Sequence, residues 1–140
     1  MSPDKENGAA LPELPATLDS KRVLVLSAEA VIRDLVGRFL EIDGYFTCTA
    51  SDVADAVARA RERPFALIVL DSSLRGAKAI RARFKAESST SHLPVLWVGP
   101  KYAEVDFEPI SAAPSDDVLP MPFTGQQIIQ TVRRLIGSSG

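Results

Sequence analysis

A doubly wound α/β sandwich, with five strands alternating with helices around a parallel sheet, is the architecture this sequence predicts. Two observations carry the prediction. "RVLVL" (22–26), "ALIVL" (66–70) and "VLWV" (95–98) are short runs that are apolar throughout, as strands covered on both faces should be. Segments of helical period lie between the strand-like runs, which also include "YFTCT" (45–49) and "DVLP" (117–120).

Each element has a local reason. Residues 1–20 contain Pro3, Pro12 and Pro15, four acids and few large apolar side chains, so they cannot offset their ordering entropy and read as a disordered extension. A single domain follows over residues 21–137, and 138–140 form a flexible tail. After the first strand, Val31, Ile32, Leu35, Val36, Phe39 and Leu40 recur on one helical stripe, with Asp43-Gly44 as the stop. Ser51 or Asp52 can cap an Ala-rich second helix that faces Val53, Val57 and Ala58 inward and ends before Pro64. A third helix, roughly 77–87, buries Ile80 and Phe84. Thr124 and Gln127 are spaced as a capping box for a last helix with Ile128, Ile129, Val132, Leu135 and Ile136 on one face. The crossover between the fourth and fifth strands contains Pro100, Pro109 and Pro114. An interior proline costs a helix about 3 kcal/mol, so the helix expected there is short, broken or missing.

Composition narrows the function classes. The chain has 140 residues, 46% hydrophobic and 24% charged, with net charge −2, so no global field favours nucleic acid or anionic lipid. No apolar run approaches the roughly 18 residues of a membrane span, and membrane insertion is not expected. The start lacks a signal-peptide pattern and Cys48 has no intrachain partner, which together predict a cytoplasmic setting.

In open α/β sheets, ligands and reactive groups gather at the carboxyl ends of the strands. Those positions are Ser27 and Ala28, Asp71, Gly99 and Pro100, and Met121 and Pro122; Asp71 alone is ionisable. The order and spacing of "RVLVLSAEAVIRDLVGRFLEIDGY", "LIVLDSSLRG", "LPVLWVG" and "DDVLPMPF" resemble the response-regulator receiver domain of bacterial two-component signalling over residues 22–137. That resemblance implies a flavodoxin-like strand order 2-1-3-4-5 and a phosphoacceptor at Asp71. It also implies that the family's other working positions are degenerate here. Its two magnesium-binding acids correspond to Ser27 and Ala28, its hydroxyl residue to Gly99, its aromatic switch to Val118 and its lysine to Met121. The family's cis proline corresponds to Pro122. The third helix begins about two residues sooner than the family's usual turn allows.

A phosphoryl group brings about −1.5 to −2 charge into the crevice, and magnesium needs carboxylate and phosphate oxygens. Each lost charge-assisted hydrogen bond is worth about 1.5–3 kcal/mol, as much as a typical allosteric coupling of about 1–3 kcal/mol. Asp71 is thus expected to be vestigial, hydrogen-bonded to nearby loop amides. The domain is expected to act as a pseudo-receiver, a phosphorylation-independent protein-interaction module that binds magnesium weakly or not at all.

Its expected partners are proteins of a signalling pathway, and no effector segment follows Ile136, so output would be by contact. The third helix carries Arg75, Lys78, Arg81, Arg83 and Lys85 with little acid nearby and reads first as a solvated basic face. Arg75, Lys78 and Arg81, with Phe107 and Ile110, form the candidate interaction surface. Homodimerisation is left open, because the face that receivers commonly use includes the proline-broken crossover. Trp97 is expected in the core, and His92, alone, is not expected to bind metal. Two alternatives stand beside this reading: a phosphorylatable receiver that recruits Glu29 or Asp116 for metal, and a small-molecule sensor with a pocket lined by Ser27, Ala28, Gly99 and Met121. Enzyme activity is not expected, since there is no Gly-rich phosphate loop or nucleophile elbow.

Overall fold

A computed structural model describes residues 19–100 and 116–139. In chain order the elements are β1 (Arg22–Leu26), α1 (Ala30–Ile42), β2 (Phe46–Ala50), α2 (Val53–Glu62), β3 (Leu67–Asp71), α3 (Ala77–Ala86), β4 (Val95–Pro100), β5 (Asp117–Met121) and α4 (Gly125–Ser139). The strands form one parallel sheet in the order β2-β1-β3-β4-β5. The crossover between β4 and β5, with its expected helix break and the residues Phe107 and Ile110, lies outside the described residues, as do residues 1–18. Helix α4 continues through Ser138 and Ser139, two residues assigned from sequence to the tail.

The uninterrupted apolar strands are resolved by parity. Successive side chains point to opposite faces, so Leu24, Leu26, Ile68, Leu70, Val95 and Trp97 pack beneath α2 and α3 with Phe84. Val23, Val25, Leu67, Val69, Leu96 and Val98 meet Val36, Leu40, Ile128 and Val132 of α1 and α4. Burying one such side chain is worth about 1.5–3 kcal/mol, which is why both faces must be covered.

The helix stripes differ from expectation at two points. Val31 is 74% exposed, because the packed stripe of α1 begins at Ile32 and runs through Val36, Phe39 and Leu40, and Ala58 is exposed while Ala56 and Ala60 face inward. Asp52, not Ser51, caps α2, accepting from Asp55 N at 2.8 Å. At the end of α1, Gly44 adopts φ +91°, the left-handed conformation that closes a helix at little steric cost.

At α4, Thr124 Oγ1 accepts from Gln127 N at 3.1 Å and Gln127 Oε1 accepts from Thr124 N at 2.8 Å. Thr124→Ala is expected to cost about 1 kcal/mol, measured as a lower urea midpoint with unchanged m-value.

The third helix is not the uniformly solvated basic face that its sequence suggests. Arg81 Nε donates to Asp116 Oδ2 at 2.6 Å, and Lys85 Nζ lies 3.6 Å from Asp116 Oδ1. The same oxygen accepts from Val95 N at 3.1 Å, and the Asp116 side chain is 0% exposed. Burial pulls the Lys85 ammonium below the ordinary lysine pKa, opposed by Asp116. Glu87 pairs with Arg61 and Arg83. Arg81 is therefore removed from the candidate interaction surface, because its guanidinium is committed to a buried carboxylate; Arg75 and Lys78 remain exposed.

Candidate functional site

Asp71 is the last residue of β3 and is 1% exposed. Parallel pairing with β1 and β4 sets it between the ends of those strands, opposite Val98. Its carboxylate is occupied by its own chain. Ser27 Oγ donates to Oδ2 at 2.7 Å, while Ser73 donates to Oδ1 through both its backbone N–H, at 2.9 Å, and its hydroxyl, at 2.7 Å. A carboxylate offers about four acceptor positions, and these three donors fill most of them.

Ser27 is itself fully buried, and its Oγ accepts from Glu29 N at 3.0 Å. Ala28 is exposed and brings no polar side chain. Glu29 is also exposed and serves as the N-cap residue of α1 without a side-chain cap bond. Asp116, the other alternative metal ligand, is excluded from this site by topology: it precedes β5 and binds Val95 at the amino end of β4, whereas Asp71 lies at the carboxyl end of β3, the opposite end of the strands. No cluster of three or more His, Cys, Asp or Glu suited to a metal occurs among the described residues.

The neighbouring strand ends are equally spare. Gly99 is buried, and a Cβ built on it would lie 1.8 Å from Ser72 Oγ. Ser72 thus fills the space that a residue with a side chain at 99 would use. Its hydroxyl is buried without a hydrogen-bond partner, although its backbone N–H reaches Val98 O at 2.8 Å. This occupation also counts against a ligand cavity beside Gly99. Met121 is half-buried at the end of β5, and the Met121–Pro122 bond is cis. Val118 lies opposite Trp97, well down the strand, and packs into the core beneath α2 and α3.

The loop amide expected to bond Asp71 is Ser73 N–H, since an aspartate commonly accepts from the backbone two residues on. The Ser27 and Ser73 hydroxyls were not anticipated, nor was Arg33: from α1 its Nη1 donates to the Ser27 carbonyl at 2.6 Å, a contact across a strand end that no spacing rule specifies. Trp97 is buried, and His92 is exposed.

No protein-family model matches the chain. It is 30% identical over 118 residues to the probable transcriptional regulatory protein TcrX of Mycobacterium tuberculosis, covering 84% of this chain and 50% of that protein. It is 29% identical over 119 residues to the phosphate regulon transcriptional regulatory protein PhoB of Escherichia coli, covering 84% of this chain and 52% of PhoB. The chain spans about half the length of these curated relatives. Among solved structures, the receiver domain of NtrX from Brucella abortus superposes with a TM-score of 0.73 at 26% identity, covering 83% of this chain and 98% of that domain. Strand order, the placement of Asp71 and these similarities agree: the chain belongs to the response-regulator receiver family.

Proposed function

We propose that this receiver acts by contact, independently of phosphorylation, and that Asp71 is a structural residue of the β3–α3 turn. The observation that carries the reading is the 2.7 Å hydrogen bond from Ser27 to Asp71 Oδ2. It joins the strand end where the family resemblance expects metal-binding acids directly to the expected phosphoacceptor.

Phosphoryl transfer to Asp71 would require one oxygen to give up its donors and attack phosphorus, with positive charge compensating the incoming group. The groups at hand do not suit magnesium. Ser27 and Ala28 provide no carboxylate, and Asp71 already accepts from two serines. With Met121 in the lysine position and Gly99 in the hydroxyl position, nothing at those strand ends would bind the phosphoryl group or report it to β5. Partners would be proteins of a signalling pathway, recognised on the constitutive surface. No described helix is long and apolar enough to cross a membrane.

Incubation with acetyl phosphate and magnesium, read by intact mass, is expected to leave the chain unlabelled. Stoichiometric addition of one phosphoryl group at Asp71 would refute the proposal. Asp71→Asn retains an acceptor for Ser73 and a donor for Ser27, and is expected to change stability by less than about 1 kcal/mol and to leave partner binding intact.

A further inference from the structure

We propose that the free edge of β2 is a self-complementary interface through which two copies of this chain pair as antiparallel strands. Strand β2, "FTCTA", is the outer strand of the sheet, and no described strand pairs with its other side. Exposed edges are usually protected by proline, lysine or a bulge. This one has neither residue, and its ladder to β1 runs residue for residue from Phe46 to Ala50.

The orientation of the backbone follows from the β1 pairing. Phe46 N donates to Lys21 O and Ala50 O accepts from Ser27 N. Residues alternate along a parallel ladder, so 46, 48 and 50 direct their amide groups to β1, and Thr47 and Thr49 direct theirs outward. A two-fold axis at Cys48 would set Thr47 of each copy opposite Thr49 of the other, each pair exchanging both N–H···O bonds. Cross-strand Thr–Thr pairs are themselves favourable.

Charge complementarity selects a second copy as the occupant. The α1 rim beside this edge carries Asp34 and Glu41 together with Arg33 and Arg38, around a cleft that also includes Thr47 and Thr49. Across the same axis the α1 helices run antiparallel and present the acids of one copy to the bases of the other. Of the two outward residues, Thr49 is exposed and Thr47 is half-buried, its hydroxyl donating to Glu41 Oε2 at 2.8 Å on the same rim. Apart from Arg33, which also donates to the Ser27 carbonyl, the interface shares no side chain with the Asp71 site, and it does not depend on the phosphorylation state proposed above.

The register makes a covalent prediction. Cys48 would face its own symmetry mate in a non-hydrogen-bonded pair, at a Cα separation of about 4.5 Å, within the range a disulfide can bridge. Cys48 is the sole cysteine and is partly exposed, with Arg59 Nη1 3.4 Å from its sulfur.

The test uses the full chain. Light scattering across a concentration series is expected to show a monomer–dimer equilibrium, and mild copper–phenanthroline oxidation to trap a Cys48-linked dimer. Thr49→Pro removes an outward N–H at an edge position where proline is tolerated, and should weaken the dimer about 30-fold through its two symmetric bonds. Thr49→Lys places like charges near the axis and provides a second variant should the first fold poorly; circular dichroism checks both. A protein that stays monomeric at all concentrations, or a dimer whose affinity and cross-linking neither variant changes, would overturn the proposal.

Discussion

Asp116→Ala is expected to destabilise the protein by about 3–5 kcal/mol, because it leaves Arg81 and Lys85 facing each other without their shared buried carboxylate. In a domain of this size each kcal/mol moves the melting temperature by roughly 3–5 °C, so differential scanning calorimetry should show a fall of about 10 °C or more. The size of the effect comes from desolvation. Asp116 has a side chain that is 0% exposed, while Arg81 and Lys85 are 17% and 25% exposed, so water screens the cations only partly once the acid is gone. Val95 N would also lose its acceptor at the start of β4. Replacing all three charged residues together by apolar residues of similar volume is expected to recover much of the loss, since the pairing largely offsets its own desolvation. A fall of less than about 1 kcal/mol for Asp116→Ala would show that the cluster contributes little.

Gly99→Thr, the substitution that would place a hydroxyl at the carboxyl end of β4, is expected to cost about 1–3 kcal/mol instead of restoring a function. The new Cβ would fall 1.8 Å from Ser72 Oγ and 3.1 Å from Ser72 Cβ, so rotating the serine hydroxyl away relieves only the first clash. Adding Ser72→Gly to the same chain should return part of the stability, a non-additivity that a double-mutant cycle in urea would measure. Ser72→Ala alone removes a buried hydroxyl that has no partner, and is expected to leave stability unchanged or raise it. A Gly99→Thr protein as stable as the parent would mean that strand β4 shifts to accommodate it.

Sequence reasoning recovered the strands and helices because each was specified by short-range pattern. The run Leu67–Leu70 is apolar at every position, so its identity as a central strand did not depend on knowing its neighbours. Thr124 and Gln127 announced α4 by spacing alone. Boundaries shifted by one residue at β2 and β3, while β4 runs two residues and β5 one residue past the runs read from sequence, because their ladder continues through Gly99–Pro120 and Pro100–Met121. Val31 was misplaced because its apolarity fits the helical stripe, although it lies off the face that Ile32, Val36 and Leu40 turn to the core.

The candidate site divides in the same way. That Asp71 ends a strand, and that Ser27, Ala28, Gly99 and Met121 sit at the neighbouring ends, follows from sequence, because strand ends are countable once the strands are placed. What those residues do to one another required the fold. Ser27 lies 44 positions from Asp71, yet its hydroxyl meets the carboxylate because β1 and β3 are adjacent in register. Ser72 excludes a side chain at 99 because β3 and β4 are paired one step further along.

The basic third helix marks the limit most clearly. Its charges were visible as a row of Arg and Lys, and solvent was the natural destination for them. Only the return of the chain into β5 brought Asp116 under α3 and turned Arg81 and Lys85 toward it. Local propensity and period determine which segments are strands and helices, because those depend on neighbours a few residues apart. Which charges are buried, which serine answers Asp71 and which strand lies at the edge of the sheet depend on separations of tens of residues, and only the tertiary structure decided them.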